Sequence, residues 1–115
     1  MCGIAGLWRF GGSRSLELEH QARSMAAAIA RRGPDDAGVW CNPQAGLALA
    51  HRRLAILDLS PAGHQPMLSA SGRYVIAFNG EIYNHLEFRQ ELPGPWRGHS
   101  DTETLLAAIE AWGLE

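Results

Sequence analysis

The sequence predicts an α+β fold, built from short antiparallel strands with helices at their margins, on three observations. Five short runs have the apolar, β-branched or aromatic character of strands: GIAGLWR at 3–9, GVWC at 38–41, GLALAH at 46–51, RLAILDL at 53–59 and RYVIAF at 73–78. The middle three are separated by the turn-forming NPQA at 42–45 and by little else, which predicts an antiparallel meander. Outside them lie stretches whose apolar residues recur at helical steps.

In chain order, the first strand gives way to FGGSRS, a turn by its glycines and serines. Over 16–32, Leu18, Ala22, Met25 and Ile29 recur at steps of four, three and four, one face of a helix, while Glu17, Glu19, Gln21 and Arg23 fall outside that row. Gly33 and Pro34 stop this helix, because proline disfavours helical geometry in the residue before it and glycine is the usual terminator. RRGPDDAG is then a loop with Asp35 and Asp36 in solvent, and no task is assigned to it. After the meander and the stretch SPAGHQPMLSASG, the 73–78 strand ends at Asn79-Gly80, and a short helix is predicted over 84–92 before PGPWRG breaks it. In the last helix Ser100 is the N-cap, Glu103 completes a capping box, Leu105, Leu106, Ile109 and Trp112 form the apolar face, and Gly113 ends it.

A chain of 115 residues with 46% apolar content supports one small domain, taken as 1–115. Its net charge of −2 gives no basic field to hold nucleic acid or an anionic membrane surface. No apolar run reaches membrane-spanning length and no signal-peptide pattern opens the chain, so the expected location is the cytoplasm. Cys2 and Cys41 are too few for a disulfide framework and lack zinc-type spacing. The five histidines, 20, 51, 64, 85 and 99, show no metal-like spacing either, so no metal is expected and they are assigned no role. Cys41, beside Trp40 in a strand, reads as packing.

Cys2 is different because of its position. Removal of Met1 would leave one residue carrying both a thiol and a free α-amine, whose unperturbed pKa of about 7.7–8.0 suits it to accept a proton at physiological pH. Nucleophile and base would then reside in the same residue. The competing reading is a small buried hydrophobe on the first strand. Asn79-Gly80 is similarly double: such a pair after a strand is the usual hairpin signal, yet the following EIYNHLEFRQEL lacks the alternation of a returning strand.

The stretches MCGIAGLW, RRGPDDAG, HRRLAILDLSPAGHQPM, FNGEIYNH and HSDTETLL, in that order, resemble the class II, N-terminal-nucleophile type of glutamine amidotransferase domain. The HRRLAILD and NGEIYNH forms are most similar to the N-terminal domain of asparagine synthetases. The resemblance implies an N-terminal-nucleophile hydrolase-like α-β-β-α sandwich, incomplete in this chain because the family's domain continues past the HSDTETLL helix with further strands. It implies hydrolysis of L-glutamine to glutamate and ammonia through a Cys2 thioester, with Asn79 and Gly80 as the oxyanion hole. Arg53, or its neighbour Arg52, would hold the substrate α-carboxylate, Asp101 the α-ammonium, and Glu81 would assist Asp101. ATP and magnesium are expected only for the synthetase domain that receives the ammonia, as a covalent or separate partner, and an oligomer is compatible with the pattern. The alternative is a non-catalytic module that binds glutamine or docks a partner domain without turnover.

Overall fold

The computed structural model describes residues 2–12, 14–54 and 60–115. Strand β1 (Gly3–Trp8) leads to helix α1 (Ser15–Ala28), strands β2 (Asp36–Asn42) and β3 (Leu47–Arg53), two-residue strands β4 (Met67–Leu68) and β5 (Val75–Ile76), and helices α2 (His85–Glu91) and α3 (Asp101–Trp112). Among the described residues the strands form two antiparallel sheets, ordered β1-β3-β2 and β4-β5. The α+β class therefore holds.

The topology corrects the predicted meander. β2 and β3 form the expected hairpin, but β1 pairs with the free edge of β3, Gly3 opposite Arg52 through Trp8 opposite Leu47, so β3 is the central strand. No new strand starts at Arg53. That residue closes β3, paired with Asp36, and positions 55–59 of the predicted strand lie outside the described residues.

Alternation along β3 divides the sheet into two faces. Ala48 and Ala50 are fully buried against Leu18, Ala22 and Ala26 of α1, with Ala5, Leu7, Val39 and Cys41 packed around them. The buried stripe of α1 thus runs at steps of four, and the Met25 predicted for it is 37% exposed. Alanine on both surfaces explains the choice, since small side chains let the helix backbone approach the sheet closely. Past the C-cap Ile29 the chain makes one 3-10 turn, Ala30–Arg32. Gly33 follows with φ −147°, so its role is not a left-handed cap. A Cβ there would overlap the Arg52 backbone, and Arg52 Nε donates to the Gly33 carbonyl at 2.9 Å.

The predicted 73–78 strand shrinks to Val75–Ile76 because side chains take over its backbone groups: Phe78 N–H donates to Gln65 Oε1 at 2.7 Å, and the Phe78 carbonyl faces His51 Nε2 at 3.1 Å. At α3, the Ser100 hydroxyl accepts from Glu103 N–H at 3.2 Å, as the capping box requires. The Glu103 carboxylate reaches farther back, accepting from Arg97 N–H at 2.7 Å and Gly98 N–H at 2.9 Å. Of the predicted apolar face, Leu106 is buried while Trp112 is half exposed.

Arg89 joins α2 to this corner. Its guanidinium donates to Thr104 Oγ1, the Gly98 carbonyl and the Ser100 carbonyl at 2.7, 2.8 and 2.8 Å, and lies 4.1 Å from the centroid of the Trp96 ring. His85 Nδ1 is 3.1 Å from the same Thr104 hydroxyl. Several buried acceptors would lose their donor together in Arg89→Ala. We expect that variant to lose roughly 3 kcal/mol of unfolding free energy; an unchanged urea midpoint would show that the clamp contributes nothing.

Candidate functional site

The candidate site occupies the face of the central sheet turned away from α1. Leu47, Leu49, His51 and Arg53 alternate with the helix-facing alanines, so His51 and Arg53 share that face. Continuing the β1–β3 register by one residue sets Cys2 across from Arg53. The Cys2 Sγ accepts from Leu54 N–H at 3.3 Å and lies 3.6 Å from the Leu54 carbonyl. Cys2 and the arginine are thus brought to one end of the sheet by strand pairing alone.

Arg53 is 8% exposed, and its Nη1 donates to the Ser60 carbonyl at 2.9 Å. The turn 61–63 packs onto it so closely that a Cβ at Gly63 would overlap the guanidinium. Among the described residues Arg53 makes no ion pair. Arg52 points to the opposite face and is engaged by Gly33, so that of the two arginines Arg53 shares the face of Cys2.

The Asn79-Gly80 pair reaches the same region through its predecessor. The Phe78 carbonyl can only accept, so His51 Nε2 carries the proton and donates to it. That fixes the chain immediately before Asn79. Gly80 lets the Phe78 ring pack against the backbone, since a Cβ would meet the end of that ring at 2.7 Å. Neither residue has a positive φ, and a two-residue Asn-Gly hairpin turn needs both to be positive. The hairpin alternative weighed for this pair is therefore excluded. The side chains of Asn79 and Glu81 make no hydrogen bond or ion pair among the described residues, and Glu81 is exposed.

Asp101, at the start of α3, is 7% exposed, and its Oδ2 accepts from Ile82 N–H at 2.7 Å. It thereby pins the segment that carries Asn79, Gly80 and Glu81. The neighbouring Thr102 closes the circuit, because its hydroxyl accepts from Gln65 Nε2 at 3.2 Å while Gln65 Oε1 holds Phe78 N–H. Two groups of predicted residues, Cys2 with Arg53 and the 79–81 segment with Asp101, are joined through His51, Phe78, Gln65 and Thr102. A cleft of about 410 Å³ between α3 and the 93–97 segment holds none of them.

Sequence reasoning missed His51, Gln65 and a pair formed by Asp36 and His64, whose Oδ2 and Nδ1 are 2.5 Å apart. The adjacency of His51 to Arg53 in HRRL was the available signal for the first. The partners of the others lie 13 to 37 residues away and leave no local trace. Among the described residues no group of three His, Cys, Asp or Glu side chains is placed to hold a metal ion, and no helix is long and apolar enough to cross a membrane. Cys41 is the packing residue expected: burial, with Glu19 nearby, pushes its thiol pKa up.

His51 is fully buried, and its Nδ1 has no partner among the described residues. Burial pushes its pKa down, with the Arg53 charge acting in the same direction and the Phe78 carbonyl against it. A histidine with a depressed folded pKa stabilises the fold in its neutral form; that contribution is complete above the unfolded value of about 6.5 and is lost as pH falls toward the folded one. Urea midpoints measured from pH 8 to pH 5 should therefore fall below about pH 6.5, more steeply than in His51→Gln, which keeps a donor for Phe78. Parallel curves for the two proteins would refute this role.

Comparison with known proteins identifies the family of the chain. A family profile described as a glutamine amidotransferase domain matches residues 1–115. Asparagine synthetase 2 (glutamine-hydrolyzing) of Bacillus subtilis strain 168 is 40% identical over 116 residues, covering 99% of this chain and 15% of that protein. Asparagine synthetase B (glutamine-hydrolyzing) of Escherichia coli K12 is 36% identical over 117 residues, covering 100% of this chain and 20% of that protein. Amidase chry2 of Gibberella zeae is 35% identical over 124 residues, covering 99% and 18%. The chain thus spans only 15 to 20% of the length of these three relatives. It belongs to the glutamine amidotransferase domain family, in the form found in asparagine synthetases.

Proposed function

We propose that this domain hydrolyses L-glutamine to glutamate and ammonia through a Cys2 thioester and passes the ammonia to an ATP-dependent amidation domain. The observation that carries the reading is Arg53: a buried guanidinium on the Cys2 face with no carboxylate partner among the described residues. Burying such a charge costs several kcal/mol unless a counter-charge arrives. The planar α-carboxylate of an amino acid supplies one in the geometry that arginine binds best.

In this reading the Cys2 thiol, hydrogen-bonded by Leu54 N–H, attacks the side-chain amide carbon of glutamine. The freed α-amine of Cys2 takes the thiol proton and returns it to the departing nitrogen, so that ammonia leaves and a glutamyl thioester remains. The Asn79 side-chain amide and Gly80 N–H stabilise the tetrahedral oxyanion. Water then attacks the thioester, releasing glutamate and restoring the thiol. Asp101 and Glu81 receive the substrate α-ammonium; Asp101 has lone pairs left after its bond to Ile82, the one its side chain makes among the described residues. The ammonia acceptor, ATP and magnesium belong to the partner domain. The further strands that complete the α-β-β-α sandwich are part of the same proposal, and its cellular setting is the cytoplasm.

Intact mass of the chain, before and after exposure to an electrophilic glutamine analogue, tests this directly. Loss of Met1 and one adduct at Cys2, prevented by excess glutamine, is the expected result. Cys2→Ala should abolish glutamate release while keeping the fold. Failure to form a glutamine-protected adduct would instead favour the non-catalytic module. Arg53→Ala should raise the KM for glutamine roughly 10- to 100-fold with a smaller effect on kcat; an unaltered KM would refute the carboxylate role of Arg53.

A further inference from the structure

The pairing of Asp36 with His64 bears on how Arg53 is kept available. Asp36 and Arg53 are direct partners across the β2–β3 ladder, so their side chains leave the same face of the sheet. Opposite charges at such a position ordinarily pair with each other. Here they do not. Asp36 Oδ1 accepts from Ala37 N–H at 2.8 Å, and Oδ2 accepts from His64 Nδ1 at 2.5 Å. Arg53 turns instead to the Ser60 carbonyl. His64 follows directly on the 61–63 turn whose Gly63 packs on the Arg53 guanidinium, so the histidine holds the aspartate at the edge of the arginine pocket.

We propose that His64 is a positioning residue that sequesters the Asp36 carboxylate, leaving the Arg53 guanidinium free for the α-carboxylate of the amino-acid substrate. A released Asp36 would compete for the same guanidinium and repel the incoming carboxylate. This rests on the glutamine-binding role given to Arg53 above, but it is independent of turnover. His64 acts on binding and not on the reacting atoms, so its removal changes affinity and not the chemical step.

The test compares the full chain with His64→Ala, Asp36→Asn and the double variant. Each is read both by the KM and kcat of glutamate release and by calorimetric glutamine affinity in a Cys2→Ala background. His64→Ala should weaken glutamine binding about three- to tenfold, with kcat within about twofold of the parent. Adding Asp36→Asn should restore binding to within about twofold, because the competing charge is gone. An unchanged affinity in His64→Ala would overturn the proposal. A double variant as weak as the single one would also overturn it, since that is what loss of an anchored turn predicts. Binding without turnover by the parent would refute the glutaminase reading alone, whereas no glutamine binding at all would refute both.

Discussion

One hydrogen bond, from His51 Nε2–H to the Phe78 carbonyl, connects the two halves of the site. On one side stands a rigid element: β3 is paired along both edges and covered by α1. On the other is a segment of irregular backbone that carries Asn79, Gly80 and Glu81 and has little secondary structure of its own. Because His51 is fully buried while Phe78 is half-buried, the bond is partly shielded from water, which strengthens it relative to an exposed contact. The depressed pKa follows from the same burial. A neutral imidazole whose one proton is committed to Phe78 is a fixed strut between β3 and the segment that follows Phe78.

Around that strut the polar side chains do the work that a longer ladder would otherwise do. Gln65 bridges Phe78 N–H and the Thr102 hydroxyl, Asp101 holds Ile82 N–H, and Arg89 ties α2 to the carbonyls that precede α3. Such a network is stabilising only when each buried member is satisfied. It also explains why the start of α3 is buried despite its composition: Asp101, Thr102, Glu103 and Thr104 are all under 9% exposed. The helix presents its polar first turn inward, because that turn is the scaffold for the 79–82 segment.

How much of this was legible in the sequence depended on the range of the interaction. Local signals reported correctly: the existence of α1 with Leu18 and Ala22 on its buried face, the Ser100 cap, and the turn between β2 and β3. The ordered stretches around Cys2, Arg53, Asn79 and Asp101 marked the family, and the fold sets Cys2 beside Arg53 and Asp101 beside the 79–81 segment. What periodicity could not show was which strand β1 would choose, since an apolar hexapeptide carries no address for its partner. The length of the 73–78 strand failed for the opposite reason: its residues favour β structure, but Gln65 and His51 claim its backbone groups first. Gly33 misled as well, because close approach to Arg52 and helix termination leave the same residue in the sequence.

The charge arrangement at the Arg53 end follows from a conflict that the sheet itself creates. In the role proposed for Arg53, a carboxylate-binding arginine must be desolvated enough to bind strongly, yet must not be neutralised from within. β-pairing sets Asp36 opposite Arg53, the position most able to neutralise it. Replacing that aspartate would remove the conflict but would also release Ala37 N–H, which its other oxygen holds. A third group, His64, resolves both demands by taking Oδ2 while Oδ1 stays on the backbone. Among the described residues the arginine is then left with a carbonyl, an acceptor weak enough, in the proposed reading, to be supplemented by a ligand carboxylate but sufficient to hold the side chain in place before one arrives.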